Sequence, residues 1–131
     1  MTNFYKDKVI IVTGASSGIG LASVRNFASL GAKVVLAARS IKKKKKIAEE
    51  LNNRYAAHGS QLTTHCIKTD VTKEEDCKNL IEKTIEGFGK INILVNNAGI
   101  SMRAVFKDLD LNVMRSLMDT NFWGTVYCTK Y

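Results

Sequence analysis

Residues 8–20 read Lys8-Val-Ile-Ile-Val-Thr-Gly-Ala-Ser-Ser-Gly-Ile-Gly20, and their order sets the architecture of the chain. Val9, Ile10, Ile11 and Val12 form an unbroken β-branched run, the pattern of a strand buried on both faces of a parallel sheet. Gly14, Gly18 and Gly20 come next, and then Leu21, Val24, Phe27 and Ala28 recur at helical spacing. A strand, a tight glycine turn and a helix in that order aim backbone N–H groups and the positive end of a helix at one point. That arrangement accepts a phosphate or pyrophosphate. Glycine at the turn allows positive φ and leaves no Cβ between backbone and ligand. The alternative is a glycine-rich turn with no ligand, and the flanking strand and helix weigh against it.

The rest of the chain repeats the alternation. Gly31 stands just past the first helix, and Lys33–Ala38 reads as a second buried strand. Ser40 is placed to cap a helix over 41–57, with Ile47, Ala48, Leu51 and Tyr55 as its apolar stripe. His58-Gly59-Ser60 ends that helix, and Gln61–Lys68 makes a third strand in which His65 is an ordinary strand residue. Thr72-Lys73-Glu74-Glu75 has the form of a capping box ahead of a helix carrying Cys77, Leu80, Ile81, Thr84, Ile85 and Phe88. Gly87 and Gly89 close it, and Ile91, Ile93, Leu94 and Val95 form a fourth strand before Asn96-Asn97-Ala98-Gly99. A last helix starts at Asp110, with Val113, Met114, Leu117, Met118, Asn121 and Phe122 along one side. Strands alternating with helices imply right-handed βαβ crossovers and a parallel sheet of expected order 3-2-1-4.

At 131 residues, 45% hydrophobic and 24% charged, the chain fits one globular domain spanning 1–131. No apolar run reaches the ~18 residues that cross a bilayer, and no signal-peptide segment opens the chain. A cytoplasmic protein with no membrane partner is therefore expected. Cys66, Cys77 and Cys128 have no metal-like spacing and read as small thiols in a reducing compartment, so no metal is expected. Five of the +8 net charges sit in Lys42–Lys46. One local run is a solvated helix start rather than a nucleic-acid face, so no nucleic-acid partner is expected.

The glycine spacing is Gly-x-x-x-Gly-x-Gly, which is neither the common dinucleotide fingerprint nor a Walker loop. Thr13-Gly14-Ala15-Ser16-Ser17-Gly18-Ile19-Gly20 closely resembles the cofactor turn of the short-chain dehydrogenase/reductase family. Asn96-Asn97-Ala98-Gly99 independently resembles the same family's second motif. The resemblance implies an α/β, Rossmann-like, doubly wound parallel sheet, here a partial one of four strands. It also implies that Gly14, Ser16, Ser17, Gly18, Ile19 and Gly20 bind a nicotinamide cofactor. Asn97 would bond toward Thr13, with Ala98 and Gly99 along the ribose, and Asp70 and Val71 would contact adenine. A plain Asx-turn is the other reading of Asp70.

The stretch after the second strand bears on cofactor choice. NAD enzymes place an acid about 20 residues past the glycine turn, to hold the ribose 2′-OH. Here that stretch is Ala37-Ala38-Arg39-Ser40, with a guanidinium where the acid would be. Arg39 can pair with a 2′-phosphate, Ser40 can donate a further hydrogen bond, and Lys42 or Lys43 can add charge. NADP(H) is expected over NAD(H).

Asn121 matches the family's helix asparagine, which holds a water in a proton relay; a structurally satisfied amide is the other reading. The family's catalytic Ser and Tyr-x-x-x-Lys pair lie several dozen residues further on, whereas this chain ends at Tyr131. Tyr127 and Lys130 have the spacing Tyr-x-x-Lys on the same helix as Asn121 and are not substitutes. The resemblance thus implies the cofactor-binding part of an oxidoreductase acting on a small-molecule carbonyl or alcohol. The chain alone would be inactive, and the full-length protein a homo-oligomer. A non-catalytic nucleotide-binding or dimerisation module is the alternative.

Overall fold

The computed structural model describes residues 3–55 and 64–131. Four parallel strands, β1 (Val9–Thr13), β2 (Lys33–Ala38), β3 (Thr64–Lys68) and β4 (Ile93–Val95), form one sheet in the order β3-β2-β1-β4. This is the expected 3-2-1-4 arrangement. Ile10 registers with Val34 on one side and Ile93 on the other. Every residue of β1 is buried, which is why its sequence is an uninterrupted β-branched run rather than an alternating one.

Helices cover both faces. Ile10, Val12, Val34 and Leu36 point into one layer with Val24 and Ala28 of α1 (Gly18–Ser29) and Leu51 of α2 (Ile41–Tyr55). Ile11, Val35 and Ala37 point into the other, with Leu80 and Ile81 of α3 (Glu74–Phe88). Burying a side chain of this kind stabilises the fold by about 1.5–3 kcal/mol. Gly31 ends α1 in the left-handed conformation, φ 79°. Gly31 N–H donates to the Ala28 carbonyl and Ala32 N–H to that of Phe27, the paired bonds of a Schellman ending.

Several local expectations need correction. The His58-Gly59-Ser60 turn, the end of the 41–57 helix and the start of the third strand at Gln61 lie outside the described residues. The strand is described from Thr64, and in it His65 packs against the Phe88 ring at 4.6 Å. Thr72 does not form the capping box: its hydroxyl donates to Asp70 Oδ1 (2.7 Å), and the residue capping α3 is Lys73, without a side-chain bond. Gly87 lies inside α3, and Gly89 alone ends it at φ 74°. β4 is shorter than expected because Asn92 replaces a ladder residue with its side chain. Its Oδ1 accepts from Val9 N–H (2.9 Å) while its own N–H donates to the Val9 carbonyl.

The C-terminal helical run starts where Asp110 caps it, accepting from Asn112 N–H at 2.8 Å. It comprises α4 (Leu111–Met118), a π-helical turn (Asp119–Trp123) and α5 (Gly124–Lys130). The apolar side expected from Val113 to Phe122 is not buried. Met118 and Phe122 are 50% and 49% exposed, and no residue of α4 is buried. Gly124 and Cys128 of α5 are buried, and α5 packs on α3. Cys77 and Cys128 are buried neighbours there, whereas Cys66 is half-buried. The hydrogen bond shared with Cys128, and then burial, push the Cys77 thiol well up from its ordinary value. Among the described residues no helix is long and apolar enough to cross a membrane.

Candidate functional site

At the carboxyl ends of β1, β2, β3 and β4 lies an open cleft of about 860 Å³, the position where doubly wound sheets hold ligands. One side is the β1–α1 turn. Gly14 (φ 65°) and Gly18 (φ 54°) both adopt conformations that favour glycine, for different reasons. A Cβ on Gly14 would lie 2.8 Å from Ala98 Cα, so this glycine lets the turn touch the loop after β4. A Cβ on Gly18 would meet no atom within 4 Å; it would project into open space at the cleft. Ser17 precedes α1 in extended conformation and makes no side-chain capping bond, so it does not take up the donors of the first turn.

Thr13 and Asn97 join β1 to the loop after β4. Thr13 Oγ1 accepts from the N–H groups of Asn97 and Ala98, each at 3.0 Å. Asn97 Nδ2 in turn donates to the Thr13 carbonyl at 3.0 Å. The expected approach of Asn97 to Thr13 is thus present. Gly20 behaves differently from the other turn residues. It is buried, it does not line the cleft, and a Cβ there would lie 2.5 Å from Asn97 Nδ2 and 2.6 Å from the Gly14 carbonyl oxygen. Its lack of a side chain serves packing beneath the turn.

The opposite wall is the turn after β3. Asp70 Oδ1 accepts from the Thr72 hydroxyl and N–H, and Asp70 N–H donates to Asp76 Oδ2 at 2.8 Å. The Asx-turn and the cleft-facing position coexist, since Asp70 and Val71 both line the cleft. Burial raises the Asp70 carboxyl. The Thr72 hydrogen bonds and the charges of Arg39 and Lys73 together outweigh it and leave the pKa below the ordinary aspartate value. Arg39 and Ser40, exposed after β2, form the rim beside Asp70. The side chains of Lys42 and Lys43 lie outside the described residues.

Asn121 sits in the π turn and does not line the cleft directly. Its Nδ2 donates to the Ile100 carbonyl (2.8 Å) and its Oδ1 accepts from Ile100 N–H (2.9 Å). Both amide groups are therefore satisfied by backbone, and the side chain positions the loop. Tyr127 stacks on Trp123, and Lys130 bonds Glu74 and the Tyr131 hydroxyl, so neither reaches the cleft. Hydrogen bonding to Glu74 is also the leading cause that holds the Lys130 ammonium above its ordinary value.

Gly14, Ser16, Ser17, Gly18, Ile19, Arg39, Ser40, Asp70, Val71, Asn97, Ala98 and Gly99 are thus brought to one cleft. Sequence reasoning missed Ser116, Asp119 and Thr120, which line it from the last helical run. Their i, i+3, i+4 spacing next to Asn121 is a polar stripe, the signal that would have found them.

The model of the family described as short chain dehydrogenase matches residues 8–131. The chain belongs to the short-chain dehydrogenase family. It is 43% identical over 125 residues to an uncharacterized oxidoreductase, YxnA, of Bacillus subtilis (strain 168), covering 95% of this chain and 33% of that protein. It is 40% identical to an 11-beta-hydroxysteroid dehydrogenase A of Arachis hypogaea, covering 95% and 34%. Among solved structures it resembles L-sorbose reductase from Gluconobacter frateurii, complexed with NADPH and L-sorbose. That match has TM-score 0.90 and 28% identity, and covers 99% of this chain and 48% of the other. An alcohol dehydrogenase from the archaeon Thermococcus sibiricus, complexed with 5-hydroxy-NADP, matches with TM-score 0.89 and 30% identity, covering 95% and 51%. The chain spans about a third of the length of these curated relatives and about half of these solved chains.

Proposed function

We propose that this chain binds NADP(H) and forms the cofactor-binding part of an oxidoreductase that moves hydride between nicotinamide and a carbonyl or secondary alcohol. The observation that carries the choice of NADP(H) is the position of Arg39. It lines the rim of the cleft directly after β2, where an NAD enzyme would place an acid. Its guanidinium can take a 2′-phosphate with two hydrogen bonds, and Ser40 can add a third. The solved relatives complexed with NADPH and with 5-hydroxy-NADP support the same choice.

The residues present fit a dinucleotide. Open space at Gly18, the uncapped first turn of α1 and the volume of the cleft suit a pyrophosphate and its flanking groups. Ser16, Ser17, Gly18 and Ile19 hold the pyrophosphate against the helix N-terminus, with Gly14 shaping the turn. Asp70 and Val71 take the adenine, through the carboxylate and an apolar edge. Asn97, Ala98 and Gly99 lie along the ribose on the nicotinamide side. When bound, the nicotinamide gives or accepts the hydride. Oδ1 and Nδ2 of Asn121 each spend one bond on Ile100, and the amide keeps a further lone pair and a further N–H with which it can hold a water of a proton relay.

Calorimetric titration of the protein with NADPH tests the proposal at its base. Saturable binding that is lost on mutating the β1–α1 turn is expected. No heat of binding at millimolar NADPH would overturn the proposal.

A further inference from the structure

Gly124 begins α5 with φ −57° and ψ −41°, ordinary helical values that any residue adopts. Its backbone therefore gives no reason for glycine. Space does. A Cβ on Gly124 would lie 2.8 Å from Val71 Cγ2, 2.9 Å from Val71 Cβ and 3.3 Å from the Val71 carbonyl oxygen. Atoms do not pack that closely, so an alanine here must push Val71 or the helix away. Val71 is 8% exposed and lines the cleft beside Asp70. It has little freedom to retreat, because Cys77 Sγ donates to its carbonyl at 3.5 Å and its side chain joins the buried layer under the sheet.

Three residues earlier in the same helical run, Asn121 grips the backbone of Ile100 with two hydrogen bonds. Ile100 lines the cleft from the other wall. The segment 121–124 thus touches both walls: the loop after β4 through Asn121, and the turn after β3 through Gly124. The π turn makes this possible by closing a wide bond from Gly124 N–H to the Asp119 carbonyl, which displaces the helix locally.

Building on the nucleotide function proposed above, we propose that Gly124 is a positioning residue that sets the adenine wall by seating the helix directly on Val71. The ligand group it acts on is a purine base, held by an apolar edge at Val71 and a carboxylate at Asp70. Gly124 does not touch that base; it fixes where Val71, and with it Asp70, stand relative to the loop held by Asn121.

The test compares the affinities of the intact protein for NADPH and for its hypoxanthine analogue, in which the 6-amino group that would donate to a carboxylate is a carbonyl and N1 carries a proton. Loosening of the fold as a whole lowers both affinities together; displacement of the adenine wall changes their ratio. The wild type is expected to prefer NADPH at least tenfold. Gly124→Ala should reduce that preference at least threefold. The reduction should shrink when Val71→Gly has already removed Cγ2 and Cβ, the two nearest atoms. If Gly124→Ala alone does not fold, the double variant compared with Val71→Gly carries the same reading of the ratio. A preference unchanged by Gly124→Ala, or an equal reduction in both Val71 backgrounds, overturns the inference. A wild type that binds both nucleotides without preference overturns the adenine assignment and the inference with it. A wild type that binds neither overturns the nucleotide function itself.

Discussion

Thr13 and Asn97, 84 residues apart in sequence, hold each other by reciprocal hydrogen bonds between the end of β1 and the loop after β4. The Thr13 hydroxyl is the shared acceptor for two backbone N–H groups, and it donates to the Val95 carbonyl at 3.4 Å. Thr13 is 1% exposed, so no water replaces it readily. Thr13→Val keeps the shape and removes the acceptor. The expected loss is about 1–3 kcal/mol for each N–H left unpaired, read as a lower urea midpoint at constant slope. Thr13→Ser should recover most of it. A Val variant as stable as the wild type would mean that the hydroxyl does not tie the two segments together.

The parts of this arrangement that were legible in the sequence are those where one physical demand dominates. β1 and β2 are buried on both faces, and continuous apolar runs announce that directly. Gly31 was legible for the same reason, since a helix end needs a residue that tolerates positive φ. Gly20 was not, because a glycine required by packing looks identical in sequence to one required by a ligand; only the closeness of Asn97 separates them. Thr72 fits a capping box on paper, yet Asp70 competes for its hydroxyl and wins. The periodicity of the last helix showed an apolar side but carried no information about what covers it. Asn92 was invisible as a strand terminator, because its role depends on Val9, 83 residues away.

Gly18 tests the phosphate turn. At φ 54° a β-branched side chain is strained, and its bulk would enter the cleft. Gly18→Val should weaken NADPH binding at least tenfold, about 1.4 kcal/mol, as measured by calorimetry. Unchanged affinity in a folded variant would remove the turn from the site.

Asp70 predicts a pH dependence. Its folded pKa lies below the ordinary value of 3.8, so the folded state favours the carboxylate. The stability this contributes is complete above that ordinary value and is lost as pH falls through the lowered folded value. Denaturation midpoints of wild type and Asp70→Asn should therefore differ near neutrality and converge in acid. A difference that stays constant from pH 6 to pH 3 would show that ionisation of Asp70 contributes nothing.

Tyr127 and Lys130 bear on turnover. Tyr127 stacks on Trp123 and Lys130 is paired with Glu74, away from the cleft. Any carbonyl reduction with NADPH, followed by nicotinamide absorbance, should therefore survive Tyr127→Phe. Turnover that disappears in Tyr127→Phe would make Tyr127 the acid and contradict its assignment as a packing residue.

The central claim, that Arg39 directs this cleft toward a 2′-phosphate, is tested most directly by titrating NADPH and NADH against the wild type and Arg39→Asp. NADPH should bind more tightly to the wild type, and Arg39→Asp should erase or reverse the preference by ~1–3 kcal/mol, the scale of a charge-assisted pair. Equal affinities of the wild type for the two nucleotides, or a preference for NADPH that survives Arg39→Asp, would contradict it.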